Sequence, residues 1–183
     1  QYSTIDDYKD IEILNFYREM KAEGVPEAEI MASIYAKGRD NSRTPMQWNR
    51  EKNGGFTTGT PWMKVNPNYV DINAEEALND ENSVYYYYQK LIQLRKTHKV
   101  ILHGDYDLLH EEHPDLFVYK RMLNEEILLV ICNFAEKKVF FDCPEELKNR
   151  NSELLITNYE SKNTDLSSTM NLAPYEAKVF LVK

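Results

Sequence analysis

A chain of 183 residues is long enough for one ordinary domain or two small ones, and a content of 28% charged and 42% hydrophobic residues is the balance of a globular protein. The formal net charge of −8 argues against a surface built for nucleic acid or for an anionic membrane. The longest apolar run, Ile127–Cys132, is strand-sized and far short of the ~20 residues a membrane helix needs.

The chain starts on Gln1-Tyr2-Ser3-Thr4, with neither an initiator Met nor a signal-like segment, and so reads as a cut end or a chosen boundary. A helix is expected from Asp10 onward, where Asp10 and Glu12 suit the positive end of the helix dipole, and Gly24 can end it. Pro26 is placed as the first residue of a second helix, followed by Glu27 and Glu29. Ile30, Ile34 and Tyr35 share one face of it, and Gly38 stops it.

Residues 38–70 are predicted to be irregular. Three Pro and four Gly between positions 38 and 67 forbid a long regular element. A loop of that length in a compact domain is functional or disordered, and its aromatics, Trp48, Phe56, Trp62 and Tyr69, argue for order. Ser83 is positioned to cap the helix SVYYYYQKLIQLRKTHK. Val84, Tyr87, Tyr88, Leu91 and Leu94 fall on one face of it, and Arg95, Lys96 and Lys99 stand in its last turns. Of the four tyrosines, two are expected in the core and two half-exposed at its border.

From about residue 104 the period becomes two. Leu116 and Val118 alternate with Phe117 and Tyr119, and Glu126–Phe134 is nearly continuous in apolar residues, as in a central strand. Lys138–Phe141, Ser152–Thr157 and Glu176–Val182 follow as short strands, separated by turn-rich AEK, DCPEE and NYESKNTD. An antiparallel sandwich is expected. Two cysteines, Cys132 and Cys143, lack metal-type spacing; Cys132 reads as a core thiol, and the absence of a disulfide pattern leans toward the cytoplasm.

No motif supplies chemistry. There is no Gly-rich phosphate loop, no HExxH and no GxSxG, so no cofactor is expected. His98, His103, His110 and His113 are irregularly spaced across a helix-strand junction, which speaks against a metal site, and His98 reads as capping or solvated. Asp6-Asp7 and Glu75-Glu76 are sequence neighbours that point apart, and they do not make an acid/base pair.

What remains is Gly38-Arg39-Asp40-Asn41-Ser42-Arg43-Thr44-Pro45-Met46-Gln47-Trp48. Together with Ile5–Glu12, Gly55-Phe56-Thr57-Thr58-Gly59, Pro61-Trp62, Val65–Tyr69 and Tyr86–Lys96, it resembles the C-terminal third of α-glucosidases of the α-amylase superfamily. The likeness is greatest to oligo-1,6-glucosidases (isomaltases) and dextran glucosidases, with trehalose-6-phosphate hydrolases and sucrose isomerases as relatives. It covers essentially the whole chain and is densest through residue 134.

The resemblance implies an α+β fragment: the last βα loop excursion and final helix of a (β/α)8 barrel, followed by an antiparallel β-sandwich C-terminal domain. Residues 1–103 would end the catalytic barrel, with 1–81 the excursion and 82–99 the last barrel helix, and 104–183 would form the β-domain. It implies a retaining mechanism whose Asp nucleophile, Glu acid/base and second Asp lie on earlier barrel strands, so no catalytic residue is expected in this chain. In the family, the arginine at the position of Arg39 reaches the non-reducing-end glucose, pairs with an upstream Asp and contacts sugar hydroxyls; a planar guanidinium suits that task. Asp40, Arg43 and Trp48 are read as support for the loop, with Arg43 tied to backbone carbonyls and to acids such as Asp40. Trp48 and Trp62 are expected to pack the loop onto the barrel rim, and Asn68 and Tyr69 to act as scaffold. The implied partners are an oligosaccharide substrate and the N-terminal barrel. The competing readings are a non-catalytic carbohydrate-binding or structural module acting through the β half, and an unrelated all-β adaptor.

Overall fold

The structure is a computed structural model that describes residues 1–148, 150–160, 166 and 169–183; positions 161–165 of the NYESKNTD turn lie outside the described residues. The chain forms two compact units, residues 1–83 and 84–183.

The first unit is built on two helices, α1 (Ile11–Ala22) and α2 (Glu27–Lys37). Asp10 is the N-cap of α1, its side chain accepting from the Glu12 amide. Gly24 follows α1 at φ +82°, a conformation only glycine adopts freely. Pro26 is the N-cap of α2, one position earlier than expected, because its extended backbone (ψ 135°) does not join the helix. Ile30 and Ile34 are buried on α2 with Met31, while Tyr35 is half-buried. They pack with Tyr2, Tyr8, Ile13, Tyr17 and Met63. Gly38 ends α2; a side chain there would meet the Ile34 carbonyl at 2.6 Å.

The stretch after Gly38 contains only short 3-10 turns, at Arg39–Ser42, Lys52–Gly55 and Pro67–Val70. A helix that the periodicity missed, α3 (Ala74–Asn79), closes the unit. Its signal was an Asn-x-x-Glu cap: the Asn73 side chain accepts from the Glu76 amide at 3.0 Å. The Ser83 hydroxyl donates to the Ala77 carbonyl.

The second unit opens with α4 (Val84–Thr97) and α5 (Lys99–His103). Strands β1 (Asp105–Leu109), β2 (Leu116–Leu123), β3 (Glu126–Asn133), β7 (Ala177–Val182) and β5 (Ser152–Thr157) form an antiparallel sheet in the order β1-β2-β3-β7-β5. Strands β4 (Val139–Phe141) and β6 (Met170–Leu172) pair as a second sheet. Strand β3 explains its own composition. Ile127, Leu129 and Ile131 face the sandwich core with Val118, Phe141, Leu172 and Phe180. Leu128 and Val130 face the other way, into a cluster with Val100, Leu155 and Leu181. Both faces of the strand are covered, so the apolar run is continuous rather than alternating.

Two expectations for this unit change. No residue of α4 is fully buried: Tyr86, Tyr87, Leu91 and Leu94 are half-buried, whereas Val84 is 82% and Tyr88 63% exposed. The face that packs is therefore centred on Tyr87, Leu91 and Leu94, and none of the tyrosines lies in a core. Cys132 is only half-buried, at the edge of the helix-side cluster, while Cys143 is the fully buried thiol. Strands β1 and β6, three to five residues long, escaped the period-two reading because so short a segment hardly samples the period.

Candidate functional site

The loop after α2 is fastened at both ends of the helix pair. The Asn41 side-chain amide donates to the Ile34 and Tyr35 carbonyls at 3.0 and 3.1 Å, closing the end of α2. Asp40 is buried, and its Oδ2 accepts from the amides of Lys9 and Asp10 at 2.7 and 2.8 Å. One carboxylate thus fixes the backbone that leads into α1.

That anchoring brings Arg39 to the start of α1. Its Nε donates to Asp10 Oδ2 at 2.7 Å and its Nη2 to Asp10 Oδ1 at 2.9 Å, a two-pronged pair. The Asp10 side chain is only 2% exposed, whereas that of Arg39 is 49% exposed. Glu12, on the solvent side, also meets Nη2, at 2.9 Å. Among the described residues, the hydrogen bonds and ion pairs of Arg39 leave its Nη1 amino group unused. The Arg39 guanidinium holds the Asp10 carboxyl below the usual carboxylate range, assisted by the Glu12 amide against the opposing effect of burial. Hydrogen bonding to Asp10 in turn raises the Arg39 pKa.

Arg43 lies 3.8 Å from Asp10 Oδ2, so the acid it faces is Asp10; with Asp40 it shares a backbone bond, from its amide to the Asp40 carbonyl. Beside the cluster opens a hollow of about 600 Å³, lined among others by Asp10, Glu12, Ile13, Phe16, Gly38 and Arg39. The two tryptophans are more than half exposed, Trp48 at 53% and Trp62 at 58%. Trp48 holds the loop through its backbone instead, donating to the Gly54 carbonyl at 2.7 Å and accepting from the Glu75 amide at 3.0 Å. Asn68 Oδ1 accepts from Gln47 Nε2 at 3.1 Å, and the Tyr69 carbonyl accepts from Asn73.

The structure therefore brings Arg39, Asp40 and Arg43 together around Asp10 and leaves Trp48 apart from them. Asp10 was visible in the sequence only as a helix-start acid, and Asn41 not at all, because both act across 29 residues or on carbonyls that no local pattern displays. His113 turns its Nδ1 to the amides of Asp115 and Leu116. Among the described residues no three His, Cys, Asp or Glu side chains gather as metal ligands, and no helix is long and apolar enough to cross a membrane. In the second unit the rings of Tyr106, Tyr119, Phe117 and Phe134 follow one another at 5.3, 5.6 and 6.4 Å, with interplanar angles of 33°, 55° and 74°. Rings so inclined do not offer one flat face for stacking.

A loop-and-helix unit carrying an arginine clamp, followed by an antiparallel sandwich backed by helices, is the arrangement of the trailing part of an alpha-amylase-type domain and the β-domain after it. The chain belongs to the alpha-amylase family: residues 6–104 match the alpha amylase catalytic domain and residues 106–179 the maltogenic amylase C-terminal domain. It is 52% identical, over its whole length, to the oligo-1,6-glucosidase of Halalkalibacterium halodurans, of which it covers 33%. It is 44% identical over 98% of its length to the trehalose-6-phosphate hydrolase of Bacillus subtilis, covering 32% of that protein. The crystal structure of trehalose-6-phosphate hydrolase from Bacillus licheniformis superposes with a TM-score of 0.91 at 44% identity, over 99% of this chain and 33% of the other. The chain spans about a third of the length of these relatives.

Proposed function

We propose that this chain is the C-terminal portion of a retaining α-glucosidase that removes terminal glucose from short oligosaccharides, α-1,6-linked ones above all. Residues 1–103 complete the barrel and residues 104–183 form the trailing β-domain, a division supported by the two matched stretches. The observation that carries the reading is Arg39. A guanidinium held along one edge by a buried carboxylate, with Nη1 donors that no described residue engages and half its surface open, is made to grip hydroxyl groups. The similarity to oligo-1,6-glucosidases supports the linkage. The exposed apolar residues Val84, Tyr88 and Ile92, spaced four apart along α4, are what a neighbouring barrel layer would cover. Two free cysteines support a cytoplasmic setting.

In this reading the pair of carboxylates about 5–5.5 Å apart that retention requires belongs to the preceding barrel. The isolated chain then hydrolyses none of isomaltose, panose, sucrose or p-nitrophenyl α-glucoside, while the full-length enzyme (this chain behind its barrel) hydrolyses isomaltose. In the full-length enzyme, Arg39→Ala lowers kcat/KM more than Arg39→Lys, because lysine keeps the charge but not the fork. Turnover by the homogeneous isolated chain, or Arg39→Ala at parental kcat/KM, overturns the proposal.

A further inference from the structure

We propose that Asp10 is the positioning residue of the sugar-binding arginine, an assignment that rests on the α-glucosidase reading above. Three features carry it. The carboxylate is 2% exposed and takes Nε and Nη2 of Arg39 in parallel, which fixes the plane of the guanidinium as well as its place. The backbone of Asp10 is itself tied down by Asp40, the residue next to Arg39, so the two ends of the contact are locked to each other. Arg43, at 3.8 Å from the same Oδ2, adds a second positive charge that keeps Asp10 ionised. The consequence is directional. With one edge of the guanidinium on Asp10 and the exposed Glu12 also on Nη2, Nη1 is the amino group that no described residue engages and that remains to donate to a ligand.

Asp10 also caps α1, and a cap alone could account for its burial. Asparagine separates the two roles. In Asp10→Asn the oxygen at the Oδ1 place still accepts from Glu12, and asparagine caps as well as aspartate. The amide nitrogen at the Oδ2 place, however, sets N–H against the Nε–H of Arg39. The guanidinium must turn, and a misplacement of about 1 Å costs on the order of a hundredfold in rate.

The experiment is a double-mutant cycle in the full-length enzyme, with kcat/KM on isomaltose and thermal midpoint measured for Asp10→Asn, Asp10→Ala, Arg39→Ala and the Asp10→Asn/Arg39→Ala pair. We expect Asp10→Asn to lose about tenfold to a hundredfold in kcat/KM. It should unfold at a higher temperature than Asp10→Ala, and it should add less than about twofold to the loss already caused by Arg39→Ala. Parental kcat/KM in Asp10→Asn while Arg39→Ala is damaged reduces Asp10 to a helix cap and overturns this proposal alone, as does a loss that multiplies in full on the Arg39→Ala background. Parental kcat/KM in Arg39→Ala removes the sugar contact itself, and this proposal with it.

Discussion

Removing the Asp40 carboxylate tests how the loop is anchored. Asp40 is 1% exposed, and a single oxygen, Oδ2, accepts from two amides, Lys9 at 2.7 Å and Asp10 at 2.8 Å. Asp40→Ala strands both donors, one of them in a buried setting. Each costs about 1–3 kcal/mol, so the total is about 2–6 kcal/mol. Asp40→Asn keeps an oxygen at the Oδ2 position and loses only the charge assistance, about 1–2 kcal/mol in all. Both tryptophans of the chain, Trp48 and Trp62, lie in the first unit, so their fluorescence reports its unfolding and not that of residues 84–183. With an m-value of about 1.5 kcal/mol/M in urea, the midpoint should fall by about 2 M for Ala and about 1 M for Asn. An Ala midpoint within about 0.3 M of the parent's would show that water replaces the carboxylate and that the anchor is incidental.

In the sandwich, Phe141→Ala should cost about 3–5 kcal/mol and its neighbour Phe140→Ala under about 1 kcal/mol, since the first is fully buried and the second 69% exposed; equal effects in urea denaturation would contradict the register of β4. Burial pushes the Cys143 thiol up to about 11, leaving about one thiolate per thousand molecules at pH 8. A thiol reagent at pH 8 should therefore label Cys143 slowly in the native chain and rapidly in denaturant, and rapid native labelling would show that the site opens. Residues 84–183 expressed alone should melt cooperatively, whereas residues 104–183 should bind a hydrophobic dye. Removing α4 and α5 uncovers Leu128, Val130, Leu155 and Leu181, and identical melting of the two fragments would mean that these helices add nothing to the sheet.

How much of this was legible in the sequence depends on the distance over which each cause acts. The ends of α1 and α2 were readable because Asp10, Gly24 and Gly38 act on backbone within one turn of themselves. Strand β3 was readable because burial on both faces writes an unbroken apolar run. Helix α4 was misread for the opposite reason. It carries apolar residues on more than one face, and periodicity alone does not tell which face packs on its own sheet and which stays open; Tyr87 and Tyr88, adjacent in sequence, differ only in that. The site shows the same limit. Arg39 could be singled out from the motif around it, but its partner Asp10 stands 29 residues away and looks, locally, like an ordinary first-turn acid. An aspartate that caps a helix needs one oxygen; here the second oxygen is engaged as well, by Nε of an arginine, and the whole carboxylate is out of water. That excess over what a cap requires is a property of the folded chain, and it marks the residue whose replacement by asparagine can separate capping from positioning.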